Sequence, residues 1–294
     1  MVEKIITHNG TFHADDVFAV ATLLLHFGDA KPEIIRTRDE KIIATGDCVA
    51  DVGGVYDATK NRFDHHQKGG AGARSDGVPY AAFGLVWKKF GPALAGDSAL
   101  AARIEKELVE YVDAFDTGAA RSEPIVADVF SFAIGTAISN LNPTWKESAL
   151  DVDMQFLKAV DFAKSVLVRV IERAGHDAEG ERVVEKVYQE APDKKIIVFL
   201  ESYPWDEVLA QKPEPLFVVE PASNGNWKVK TMNVRTHDFT SRKLLPESWA
   251  GLRDGDLVAV SGVPDAIFCH PLRFIAVAKS KDGALALARL ALAE

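Results

Sequence analysis

The stretch KIITHNGTFHADDVFAVATLLLHFG, residues 4–28, decides the fold. Lys4–Thr7 is a short β-branched run. From Val17 onward apolar residues fall at 17, 18, 20, 21, 24 and 25, a helical pattern that Gly28 stops. A polar loop of unusual content, His8-Asn9-Gly10-Thr11-Phe12-His13-Ala14-Asp15-Asp16, joins the two. Working outward, residues 33–38 and 47–52 read as further strands bounded by turn residues. Residues 99–115 read as a helix with one apolar stripe at 100, 104, 108, 111, 112 and 115, and Asp97 or Ser98 as its N-cap. Strands alternating with helices predict an α/β domain with a mainly parallel sheet flanked by helices.

The second half has another texture. Residues 149–190 are helical in pattern, with breaks expected near Gly175 and Gly180. Beyond Pro192 the chain turns β-rich at 195–200, 216–220, 227–234 and 257–260, and an Ala/Leu-rich helix closes it at 282–293. The expected organisation is a domain over residues 1–175, including a helical linker, and a smaller α+β domain over 176–294.

The 294 residues are 47% apolar and 26% charged, the proportions of a globular chain. With 34 basic against 43 acidic side chains the net charge is −9, which argues against broad basic surfaces that coat duplex nucleic acid or anionic lipid. A phosphate-bearing substrate held at one local cationic site is still compatible with that charge. The two cysteines, Cys48 and Cys269, are far apart and lack metal-ligand spacing, and the amino terminus lacks the apolar core of a signal peptide. No run of 18 apolar residues occurs, so the expectation is a cytoplasmic protein that does not enter a membrane.

Five of the eight histidines fall within the first 66 residues, beside the polar strings around His8, Asp51-Val52-Gly53-Gly54 and Asp64-His65-His66-Gln67. In a parallel sheet, functional groups gather where strands end at their carboxyl edge. His8 ends the first predicted strand and Asp51 ends the one that begins near Asp47, so the two can meet although 43 positions separate them. Imidazole mixed with carboxylate suits Mn²⁺, Zn²⁺, Co²⁺ or Fe²⁺. Six or more such ligands exceed the needs of one ion and point to two. A dinuclear centre stabilises in-line attack on phosphorus, and a carboxylate such as Asp51 can bridge the pair.

Asp64-His65-His66 with its upstream His/Asp loop resembles the DHH phosphoesterase superfamily. The strings THNGTFHADD, DVGG, FDHHQ, VDAFDTG and LNPTW, with SYPW, SRKLLPESWAGLRD and SGVPDAIFCH in the second half, closely resemble the melanocyte-proliferating-gene (Myg) family of metal-dependent hydrolases. The resemblance implies a DHH-type catalytic domain followed by a substrate-binding domain. It implies metal ligation by His8, His13, Asp15, Asp51, His65 and Asp116, with Asp51 bridging. His66 would contact the scissile phosphate and Asp64 would orient it. His13 stands where many relatives of the wider superfamily carry aspartate. Asp16 reads instead as a first-turn acid of the following helix, and Asp113 as a helix-surface bystander.

The implied activity is that of a metal-dependent phosphodiesterase, a 3′–5′ exoribonuclease or oligonucleotidase using two divalent ions. Mn²⁺ is the first choice, with Zn²⁺, Co²⁺ or Mg²⁺ as alternatives. Single-stranded RNA or a short oligonucleotide is the expected partner, and a homodimer is compatible with the sequence. In the second half, residues 227–243 carry Lys228, Lys230, Arg235, Arg242 and Lys243 with Trp227 and Phe239 interleaved, a pattern suited to phosphates and bases. Arg235 and Arg242 are therefore candidate substrate-binding residues, and the resemblance implies a third, His270 in Phe268-Cys269-His270-Pro271, where relatives place a substrate-binding histidine. LNPTW is equally well explained as a Pro-anchored turn that packs its tryptophan. Two other activities stay open: hydrolysis of a small phosphoanhydride such as pyrophosphate, and a non-catalytic metal- or RNA-binding regulator.

Overall fold

In a computed structural model of the chain, the opening run forms β1 (Lys4–Thr7), and its alternation decides which faces of a sheet are covered. Residues 2–294 are described, apart from 122, 127, 128, 148, 237 and 239, with residues 29 and 124–126 described by backbone alone. The chain divides into two compact units, Met1–Gly175 and His176–Glu294.

In the first unit β1 is followed by α1 (Ala14–Phe27), β2 (Glu33–Arg36), α2 (Glu40–Ile43), β3 (Cys48–Ala50), β4 (Tyr56–Asp57) and β5 (Arg62–Phe63). The sheet order is β2-β1-β3-β5-β4, with every pair parallel except the edge pair β4–β5. Side chains alternate across it. Ile5, Cys48, Ala50 and Phe63 join the main core with Val17 and Phe18 of α1, whereas Ile6 and Val49 pack on the other face with Val52 and Ile43 of α2.

Further helices add to this core: α3 (Ala82–Ala95), α4 (Ser98–Ile104), α5 (Glu110–Asp116) and α6 (Ile134–Ser139), the last following a hairpin of β6 (Pro124–Val126) and β7 (Val129–Phe130). Asp97 caps α4 by accepting from the Ala99 and Leu100 amides. The predicted single helix over 99–115 is interrupted by a π-helical turn at Glu105–Val109. One extra residue in a turn rotates everything after it by about 100°. Asp113, expected on the surface, is consequently buried against α3.

The long helix α7 (Val152–Glu190) runs unbroken for 39 residues, contrary to the expected breaks. Glycine costs a helix only about 1 kcal/mol. Buried Phe156, Ala159, Val160, Ala163 and Leu167 at helical spacing outweigh that, and Pro204 packs directly on the bare backbone of Gly180.

The second unit holds β8 (Ile196–Val198), α8 (Asp206–Ala210), β9 (Phe217–Pro221), β10 (Trp227–Thr231), α9 (Asp254–Ser261), β11 (Ala266–Cys269), β12 (Ile275–Ala278) and α10 (Lys281–Ala293). Its sheet order is β11-β12-β10-β9-β8, antiparallel except for β8–β9. Leu287 and Ala288 of α10 bury against Val219, Val229 and Ala276. The predicted strand at 257–260 lies instead in α9. Asp254 and Asp256 favour the positive end of that helix, Leu257 is its buried anchor, and Gly262 takes the left-handed stop at φ 71°. Among the described residues no helix is long and apolar enough to cross a membrane.

Candidate metal centre

Three parallel strands end at one edge of the first sheet, and each is followed at once by polar groups: His8 after β1, Asp51 after β3, and Asp64-His65-His66 after β5. The amino end of α1 adds His13, Asp15 and Asp16, and the carboxyl end of α5 adds Asp116. Asp51 adopts a left-handed backbone at φ 58°, which costs a non-glycine residue about 1 kcal/mol. Its amide bonds the Phe63 carbonyl at 3.1 Å and holds that turn in place. The loop before α1 is fixed from a distance. Asn142 bonds both the amide and the carbonyl of Phe12 at 3.0 and 2.8 Å, and Arg36 reaches the Gly10 carbonyl at 2.6 Å. Asn142 thus gives LNPTW a purpose, whereas Trp145 is 87% exposed and packs no turn.

The side chains form three overlapping groups, one of them Asp51, Asp64, His65 and His66, and the other two carry most of the buried ligands. His8, His13, Asp16 and Asp51 make one; Asp15, His65 and Asp116 make the other; the ligand atoms in each lie within 4.8 Å of one another. Ligands on a common ion at about 2.0–2.2 Å cannot be farther apart than about 4.4 Å, so small adjustments suffice. Asp51 stands between the groups, with Oδ2 3.4 Å from His8 Nε2 and Oδ1 3.3 Å from His65 Nε2. His65 Nε2 is also 3.2 Å from Asp116 and 3.8 Å from Asp15. His13 Nδ1 lies 3.7 Å from Asp16, 4.0 Å from Asp51 and 3.9 Å from Asp116.

Asp16, set aside in the sequence, is fully buried and approaches His8 Nε2 to 3.2 Å. Its other oxygen accepts from the His13 amide at 2.8 Å, the return half of a capping box at the start of α1. Asp16 is thus the first-turn acid that the sequence predicts, in a helix that starts at Ala14 rather than Val17, and its approach to His8 is what the sequence does not signal. Asp15 accepts from the amides of Ala82 and Phe83 at 2.9 and 2.7 Å and so ties α1 to the first turn of α3.

Hydrogen bonds set the tautomers. His8 Nδ1 faces the Asn9 carbonyl at 3.1 Å and must donate, which leaves Nε2 directed at Asp16 and Asp51 as the atom that would meet either a proton or a metal ion. His66 Nδ1 donates to Asp64 at 2.8 Å, freeing Nε2 on a side chain that is 62% exposed. Asp64 itself is buried and accepts the amides of Gly54, His65 and His66. His8 Nε2, His65 Nε2, Asp16 Oδ2 and both oxygens of Asp51 are buried without a hydrogen-bond partner. Such atoms are costly unless a cation joins them. The donor set of imidazole and carboxylate therefore fits divalent metal ions.

Charge balance leads to the same view. Burial pushes the Asp15 carboxyl well above the usual range, and neighbouring Asp51, Asp116 and Asp113 push it further. Burial lifts Asp16 to about 7 in spite of His8 beside it. Burial opposes ionisation of Asp51 as well, yet His65 and His8 outweigh it and hold that carboxyl below the usual range. Burial disfavours a charged His65, but Asp116 and Asp51 raise it to about 11, and Asp51 and Asp16 raise His8 in the same way. His13 is lowered, chiefly by burial.

A cavity of about 1230 Å³ opens beside these groups, bordered by His13, His65, His66, Asp116, Tyr111 and Phe115. Asp113 does not enter it. It accepts from the Gly84 amide at 3.0 Å and pairs with Arg74 at 2.8 Å, which braces α5 against α3.

The family model MYG1_exonuc, described as "Uncharacterised protein family (UPF0160)", matches residues 4–292. The chain belongs to this MYG1 family. It is 34% identical to the MYG1 exonuclease of Homo sapiens, over 99% of this chain and 86% of that one. It is 33% identical to the MYG1 protein YER156C of Saccharomyces cerevisiae, over 100% of this chain and 96% of that one. A crystal structure of RecJ in complex with Mg²⁺ from Thermus thermophilus aligns over 99% of this chain and 50% of its own, at 15% identity and a TM-score of 0.30, a likeness too slight to build on.

The second unit of this MYG1 member treats the expected substrate residues unequally. Arg242 donates to the carbonyls of Asn233, Lys212, Pro215 and Ala210, so its guanidinium clamps three chain segments together and is not held out for a phosphate. Lys228 pairs with buried Glu220 at 3.2 Å, Lys230 lies 4.8 Å over the Trp205 ring, and Lys243 bonds the Leu292 carbonyl. Trp227 packs against the unit's core, and Phe239 lies outside the described residues. Arg235 is exposed. His270 sits at the β11–β12 turn, where Nδ1 accepts the Leu272 amide at 3.0 Å and the ring lies 4.3 Å from that of Phe274.

Proposed function

We propose that the chain is a metal-dependent phosphodiesterase that removes nucleotides, 3′ to 5′, from single-stranded RNA or short oligonucleotides at a centre of two divalent ions. As a MYG1 family member it is a hydrolase of the nuclease or phosphoesterase kind. The observation that carries the finer reading is Asp51: its two buried, unpartnered oxygens face two different groups of imidazole and carboxylate.

In this reading His8, His13 and Asp51 hold one ion, with Asp16 beside them, and Asp15, Asp51, His65 and Asp116 hold the other. Two such ions supply the positive charge that a phosphodiester and its leaving oxygen need. Asp64 fixes the His66 ring so that the exposed Nε2 can meet the phosphate. Asn142 and Arg36 keep the histidine loop from drifting. Mn²⁺ is favoured by the mixed donors, with Zn²⁺, Co²⁺ and Mg²⁺ as alternatives. The direction of digestion and the preference for RNA rest on the family resemblance. Arg235 and His270 remain the proposed substrate contacts of the second unit. A cytoplasmic location agrees with two buried, unpaired cysteines, whose thiols burial pushes up to about 11.

A pyrophosphatase would have little use for an aromatic-lined cavity of about 1230 Å³. Incubation with Mn²⁺ and an oligoribonucleotide labelled at its 5′ end should give a ladder that shortens from the 3′ end and releases mononucleotides. Phosphate release from pyrophosphate with no oligonucleotide turnover would overturn the proposal.

A further inference from the structure

We infer that Tyr111 and Phe115 form a stacking platform for the base of the nucleotide whose phosphate lies at the metal centre. This inference rests on the phosphodiesterase reading and adds to it the group that the first unit recognises. The two residues are one helical turn apart on α5, so they share a face. Their ring centroids are 4.7 Å apart at a tilt of 43°, and they are 36% and 38% exposed. Phe115 immediately precedes Asp116, whose carboxylate lies 3.2 Å from His65 Nε2. Both rings border the cavity that holds His65 and His66.

Another aromatic side chain of that cavity is already occupied, since Arg74 and Lys88 lie 4.2 and 4.7 Å from the Tyr80 ring centroid. Among the described residues, Tyr111 and Phe115 have no cation over their faces and no ring contact beyond each other. Large aromatic faces left open beside buried charge suit a flat, heteroaromatic ligand. A base one sugar away from a phosphate at the cluster is such a ligand. The interleaved aromatic Trp227 packs against the core of its own unit.

The test is calorimetric titration of the Mn²⁺-loaded full chain with adenosine 5′-monophosphate and with ribose 5-phosphate. The wild type should bind the nucleotide at least about tenfold more tightly than the sugar phosphate. In the double variant Y111A/F115A that ratio should fall toward one. Ribose 5-phosphate binding reports that the phosphate site is intact in each protein. F115L, which keeps apolar bulk without a π face, should also lower the ratio and serves if the double variant does not fold. A wild-type ratio near one, or a ratio that survives both substitutions, would overturn the inference. Failure to degrade an oligoribonucleotide would instead overturn the proposed function, whatever the binding ratio.

Discussion

Asp51 combines three costs at one residue: burial, a left-handed backbone and two oxygens that no backbone amide reaches, faced only by imidazoles at 3.3–3.4 Å. The proposed bridge between two cations would account for all three. Asp51→Asn keeps the shape and removes the charge, and should lower Mn²⁺-dependent turnover by at least about a thousandfold, read by steady-state hydrolysis at saturating metal. Asp64→Asn should behave differently: metal content is retained while kcat falls, because the Asp64 acceptor that fixes His66 Nδ1 is weakened. Asp16 has the opposite acid–base character to Asp51. Its folded-state value is raised to about 7, so between about 4 and 7 the folded chain binds the extra proton. Stability in chelator should therefore fall as pH rises across that window, and Mn²⁺ at neutral pH should restore it. Melting curves with and without EDTA check this, and a rise with pH in chelator would contradict it. His8, Asp51 and the Asp64-His65-His66 triplet were legible because polar residues crowd the ends of apolar strands. The approach of Asp16 to His8 was not, since it depends on where α1 begins.

At the scale of elements, two glycines in helices make contrasting predictions. A Cβ at Gly84 would lie 1.8 Å from Asp113 Oδ2, where α3 closes on α5. Gly84→Ala should destabilise by about 1–3 kcal/mol and also weaken activity, because the neighbouring Ala82 and Phe83 amides hold Asp15. Gly175, inside α7, has open space around it. Gly175→Ala should stabilise by about 0.5–1 kcal/mol, as read from denaturant midpoints. The same elements mark the limits of reading the chain. β1, α1, β2 and β3 follow from hydrophobic period, whereas the two-residue strands β4 and β5 are too short to leave one. Helix α3 escapes that test because Gly84, Gly91 and Pro92 interrupt its propensity, while packing against α1 sustains it. The π turn at Glu105–Val109 leaves no periodic trace in sequence, yet it decides that Asp113 is buried. Helix α9 shows the reverse case, in which a Leu-Val-Ala-Val run that looks like a strand is held helical by its first-turn acids and terminal glycine.

For the whole molecule, the proposed ion ligands all belong to the first unit, and the basic run of the second is largely committed to its own fold. Hydrogen exchange should show Mn²⁺ protecting amides around residues 8–17, 51–54, 64–66 and 82–84, with no comparable change beyond residue 190. Protection centred in the second unit would refute that division. The two fold classes could be read from the switch in texture after Pro192. The fate of the lysines and of Arg242 could not, because it depends on a carboxylate, an aromatic ring and carbonyls that lie elsewhere in the sequence. The most direct measurement of the central claim is electron paramagnetic resonance of the chain titrated with Mn²⁺. Two equivalents should bind and give the multiline spectrum of an exchange-coupled pair, and Asp51→Ala should abolish the coupling. A single isolated Mn²⁺ signal at saturation, or two ions without coupling, would contradict a bridged centre.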